Sequence, residues 1–163
     1  MGITYFACAY PAELTELVVK RPEFALTANP VMEAWRREQP EGHILLDLDK
    51  TFHAFQFASA PDPISDFPGR PCFRMFEGQV TQCVSWDYGW DPWLRAITPD
   101  ETVLIAEDLI SVEVESVAQG EVAHYPHTSL EDARRTAQQV LHQAQVFTQR
   151  LAACGNGFAY MIG

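Results

Sequence analysis

Apolar residues recur three or four apart at Leu130, Ala133, Ala137, Val140, Ala144, Phe147 and Leu151. That stripe predicts one long amphipathic helix with a single buried face. Thr128 and Glu131 have the spacing of a capping box at its start, and Gly155 suits its end. The stripe fits a core helix or, as the alternative, a dimer seam. Phe158 to Ile162 then reads as a closing strand. At the other end, Ile3 to Tyr10 is aromatic and β-branched and predicts a buried first strand, which Pro11 breaks. Leu14, Leu17 and Val18 share one face of a short helix reaching about Lys20.

The middle is less regular. A second helical segment is predicted from Asn29-Pro30 through Trp35 to Glu38, ended by Pro40-Glu41-Gly42. Leu48, Phe52 and Phe55 have helical spacing within Leu48 to Ala58, with Asp47 or Asp49 as N-cap. Ala60 to Gly78 carries Pro61, Pro63, Pro68, Gly69 and Pro71 and is expected to be mostly loop. Short strands are expected within Cys72–Phe76 and around Val80–Trp86. Thr98-Pro99-Asp100-Glu101 is a helix start with both a capping box and a first-turn proline, continued by Val103, Leu104, Ala106 and Ile110. After Ser111 the residues fit either a short helix ending before Gly120 or a strand, since Val112 and Val114 alternate with glutamates. No internal repeat or linker divides the chain, so 1–163 is expected to form a single domain.

Charge narrows the function classes. Lys and Arg number 11 against 22 Asp and Glu, a net charge of −11. Nucleic acid and anionic membranes need clustered positive charge, so neither is an expected partner. A basic protein or a cationic small ligand is compatible with that balance, as is a merely solvated acidic surface. The four cysteines lie far apart without metal-ligand spacing and read as thiols of a reducing, cytoplasmic compartment. No apolar run approaches the roughly 20 residues of a bilayer span.

Two clusters could carry chemistry. Asp47, Asp49, Lys50 and His53 sit inside an apolar run, where charge is costly unless paired or used. On a helix beginning near Leu48, Asp49 and His53 would share a face as general base and orienter, with Lys50 holding an anionic group. The structural alternative has an aspartate capping the helix, Lys50 paired with it and His53 bonded to a carbonyl. The second cluster is Trp86-Asp87-Tyr88-Gly89-Trp90-Asp91-Pro92-Trp93, which holds three of the four tryptophans. Its rings and carboxylates would suit a cation or a protein partner, or would fold inward as a core plug. His124 and His127 have the spacing of a ligand pair, but Pro126 is expected to turn their rings apart. No metal is therefore expected, and no phosphate, nucleotide or nucleophile-elbow motif implies a cofactor.

Leu46-Asp47-Leu48-Asp49-Lys50 with Phe52-His53 resembles the central signature of the YfbM-like proteins, small bacterial domains of unknown function. Met1-Gly2-Ile3-Thr4-Tyr5-Phe6, Pro11-Ala12-Glu13-Leu14, Tyr88-Gly89, Thr98 to Val103 and Tyr125-Pro126 are similar to other family segments in the same order. The resemblance implies an α+β domain in which helices pack around a small mixed sheet containing both terminal strands. It favours a helix after Ser111 and brings no catalytic residues. Trp90-Asp91 and Trp93 depart from the compact loop of the pattern. The leading expectation is a binding or interaction domain using Trp86, Asp87, Tyr88, Trp90, Asp91 and Trp93. The rival is a small enzyme built on Asp49, His53 and Lys50.

Overall fold

The computed structural model describes residues 2–26, 45–82 and 89–163. The predicted helix across 29–38 and its Pro40–Gly42 stop lie outside them, as do residues 83–86 of the predicted second short strand. The architecture is α+β. Four strands, β1 (Tyr5–Tyr10), β2 (Leu45–Asp49), β5 (Trp93–Ile97) and β6 (Gly157–Ile162), form a sheet in the order β2-β1-β6-β5. Every pairing is antiparallel rather than mixed. The two terminal strands lie at its centre, paired from Tyr5 with Ile162 to Tyr10 with Gly157. A reciprocal pair of bonds between Thr4 and Gly163 extends that ladder.

The pleat divides the core into two layers. Tyr5, Ala7, Leu46, Leu48, Ile97, Phe158, Tyr160 and Ile162 meet four helices on one face. These helices are α2 (Phe52–Ser59), α3 (Pro99–Leu109), α4 (Val114–His124) and α5 (Leu130–Cys154). On the other face Cys8, Tyr10 and Ala159 meet Val18 of α1 (Thr15–Lys20), with Ala25 and Leu26. Leu14 and Leu17 are 41% and 43% exposed, so the face predicted for α1 contributes only Val18 to this layer.

The long helix follows its stripe from Ala133 onward, with Ala133, Ala137, Val140, Ala144, Phe147 and Leu151 buried, whereas Leu130 in its first turn is 42% exposed. Its cap is Ser129 rather than Thr128: the Ser129 hydroxyl accepts the Asp132 N–H and donates to that residue's carboxylate. Gly155, at φ 67°, ends it. The Thr98 capping box forms as expected, with both reciprocal bonds to Glu101 present.

Several segments correct the local reading. Leu46 and Leu48 are buried while Asp47 and Asp49 are exposed, the alternation of a half-buried strand. Leu48 therefore belongs to β2, and α2 begins only at Phe52. Neither aspartate caps it. Asp47 accepts the Asp49 N–H at 2.8 Å, Asp49 takes φ 45°, and the Thr51 N–H closes the turn onto the Leu48 carbonyl. Pro71–Met75 is a 3₁₀ turn rather than a strand, its bonds running locally from Phe73 to Arg70 and from Phe76 to Phe73. Trp90–Asp91 is β4, paired with Thr81–Gln82 (β3), and Trp93 opens β5, so this stretch is strand where loop was expected.

The helix after Ser111 is present, but it runs through Gly120 to His124. A Cβ at Gly120 would stand 2.6 Å from the Ala54 carbonyl oxygen and 2.9 Å from its Cα. Glycine is thus needed where α4 crosses α2 nearly backbone to backbone. Gly120→Ala gains helix propensity of up to about 1 kcal/mol but overpacks the crossing by roughly 1–3 kcal/mol. A net loss of about 1–2 kcal/mol is expected from urea unfolding. Unchanged or increased stability would show that the crossing has room.

Candidate functional site

The β2–α2 turn delivers His53 to the first turn of α2 on the side facing α4. There the His53 and His124 rings stack, with centroids 4.0 Å apart and planes at 19°. Phe52 lies against His53 at 3.9 Å. Gln56 stands one turn further along α2. Gln56 is itself held, donating its amide N–H groups to the carbonyl oxygens of Phe76 at 2.7 Å and Gly78 at 3.0 Å. Burial is the largest cause that lowers the His53 pKa, His124 adds to it, and the nearby Gln56 side chain opposes both.

Asp49 is not joined to His53 by a hydrogen bond or ion pair. Its charge acts instead on Tyr125, whose pKa is raised first by burial, then by Glu121 and Asp49. Glu121 is 9% exposed on α4; burial raises its pKa, and His124 partly offsets that. Lys50 is exposed, its stem lying across Gly2. The predicted acid–base pair is therefore dispersed, and His53 finds a different partner in His124. His124 stood out in the sequence only through its spacing from His127, which is exposed. Among the described residues no three His, Cys, Asp or Glu side chains form a metal-binding group.

The aromatic segment divides. Trp86, Asp87 and Tyr88 lie outside the described residues. Trp93 remains 38% exposed but lies against Gly78: a Cβ on Gly78 would come within 2.3 Å of its indole, and Gly78 has φ 127°. The Tyr160 hydroxyl shares its proton between the Arg74 and Glu77 carbonyls, at 2.9 and 2.6 Å. Burial raises the Tyr160 pKa well beyond the ordinary phenol range. Trp90 instead is 61% exposed, with the exposed Asp91 next to it.

Trp90 and His53 meet at one pocket of about 310 Å³. Ile3, Phe52, Val80 and Ile162 make its apolar surface, Gln56, Gln79 and His53 its polar side, and Trp90 contributes an indole. Sequence reasoning placed the histidine and the tryptophan in rival sites; the fold puts them around one cavity. Gln56 and the Gly78–Val80 segment carried no sequence signal. Two larger clefts, of about 450 and 530 Å³, follow α5, and neither includes His53 or a tryptophan.

Gly78→Ala should cost about 2–4 kcal/mol, because it combines a left-handed φ with displacement of Trp93. The loss would be read from the urea midpoint together with a change in tryptophan fluorescence. A normal midpoint and spectrum would mean that Trp93 does not rest on this glycine.

No protein-family model and no curated protein matches the chain. Among solved structures, the chain is similar to the crystal structure of a protein of unknown function, YfbM from Escherichia coli. The match has 15% sequence identity and a TM-score of 0.55, and it covers 99% of this chain and 100% of that one. Identity that low extends the likeness to the fold alone. With both terminal strands central in a four-stranded sheet beneath the helices, the chain has a YfbM-like fold.

Proposed function

We propose that this is a non-enzymatic binding domain whose ligand is a small neutral molecule with an aromatic or other flat apolar body. The observation that carries the reading is the pocket shared by Trp90 and His53, apolar over most of its wall with few polar groups at one side. Trp90 offers a large ring face at little conformational cost. An acid–base role for His53 would need Asp49 within reach, whereas His53 stacks on His124 and makes no hydrogen bond or ion pair with Asp49. A cationic ligand finds no carboxylate among the lining residues. The charge of −11 then serves the outer surface, where a basic protein would meet Asp91 beside Trp90.

The test is amide chemical-shift mapping with neutral one- and two-ring aromatic fragments. Shifts should concentrate at Gly78, Gln79, Val80 and His53. Trp90→Ala should weaken binding by about tenfold, the size of an aromatic anchor's contribution. Fragments that map elsewhere, or that bind Trp90→Ala equally well, would remove the assignment.

A further inference from the structure

The arginines single out one of the clefts along α5. Arg21, Arg70, Arg74, Arg95, Arg134 and Arg135 each pair with a carboxylate, as an excess of acidic over basic residues favours. Arg150 is the exception among the described arginines, with no carboxylate of the described residues in ion-pair reach. It lines the cleft of about 450 Å³ that runs between α5 and β2, and Asp47 lines the same cleft. Two unlike charges thus border one cavity without neutralising each other. Asp47 is also short of partners: one oxygen accepts the Asp49 N–H at 2.8 Å, and the other has none among the described residues.

Much of the remaining wall is apolar. Leu46 and Phe147 are buried there, and Val146 stands exposed on the α5 side. His142, Val146 and Arg150 are each one turn apart and form a single ridge on that helix. β2 is an edge of the four-stranded sheet, with no strand beyond it among the described residues. The outer backbone groups of such a strand can bond an amide that enters the cleft.

We propose that this cleft is a second binding site, taking a small zwitterion with an apolar body. Arg150 receives the carboxylate, Asp47 the ammonium, and Val146 and Phe147 the apolar part. The planar fork of an arginine suits a carboxylate, and charge-assisted bonds are the strong ones. A ligand with one charge would leave one member of the pair unanswered and face repulsion from it. Free apolar amino acids have this chemistry, and so do short apolar peptides with free ends. The site shares no lining residue with the Trp90 pocket and stands independently of the reading given there.

Calorimetric titration of the full chain with four compounds tests this. L-phenylalanine and leucylphenylalanine carry both charges, 3-phenylpropionate lacks the ammonium and 2-phenylethylamine lacks the carboxylate. At about pH 7, where all these groups are ionised, the better zwitterion should bind at least about tenfold tighter than either single-charge compound. A tighter dipeptide would point to a peptide bonded along β2, and a tighter amino acid to a free one. Arg150→Met should remove the advantage over 2-phenylethylamine. Asp47→Asn should remove that over 3-phenylpropionate while keeping the oxygen that accepts the Asp49 N–H. Amide shifts caused by the better zwitterion should gather at Leu46, Asp47, Val146 and Arg150. Equal binding of all four compounds, or binding of none, would overturn the proposal. Shifts gathered at Gly78, Gln79 and Val80 would place the compounds in the Trp90 pocket and overturn this site alone. If a variant does not fold, the four-compound comparison on the wild type still decides the matter.

Discussion

The crossing of α2 and α4 at Ala54 and Gly120 governs the arrangement of the site. An eight-residue helix such as α2 has little stability of its own and takes its place from what it packs against. Gly120 lets α4 approach the α2 backbone without a side chain between them. That closeness brings His124, near the end of one helix, against His53, near the start of the other. Separating the helices by the width of a methyl group would part the rings. It would also shift Phe52 and Phe55 of α2, both fully buried.

Beneath this crossing the sheet provides a rigid floor. Tyr5 stacks with Phe52 and Tyr160 and meets Phe76 at a tilt, linking the central strand to α2 and to the segment before β3. Its hydroxyl is buried without a hydrogen bond, a cost of about 1–3 kcal/mol that burial of the ring offsets. Tyr160 meets its polar needs differently, donating its hydroxyl proton to the Arg74 and Glu77 carbonyls. Arg74 and Arg95 pair with Glu101 and Glu77 above it. These ion pairs are partly exposed, and each contributes little to stability. Their effect is to hold the chain from Glu77 through Gly78, one wall of the pocket.

Charge and the Trp90 pocket are separated in space. Apart from Glu121, the carboxylates among the described residues are largely on exposed or half-exposed faces, whereas the pocket is lined by apolar groups, the amides of Gln56 and Gln79 and one imidazole. Cys72 illustrates how a reactive group type can be silent here. Burial is the main cause pushing its thiol up to about 12, with Asp108 adding to it, and its N–H is fixed to that carboxylate. The Arg70–Asp108 pair at 2.9 Å anchors the 3₁₀ turn on α3.

Local grammar was enough to read the ends of the chain. The three-four stripe of α5, the Thr98 capping box and the apolar runs of β1 and β6 each follow from residues close in sequence, where periodicity and capping act directly. Leu46-Asp47-Leu48-Asp49 also carried its strand signal in plain alternation, but Leu48, Phe52 and Phe55 offered a competing helical spacing. Only pairing with β1 decides between them, because a strand is completed by a distant partner. The candidate residues His53 and Trp90 were visible as types that seldom stand idle. Their meeting at one pocket was not, nor was the stack of His53 on His124, 71 positions away. Those depend on a helix crossing whose closeness is set by Gly120, a residue that local propensity alone reads as a helix end.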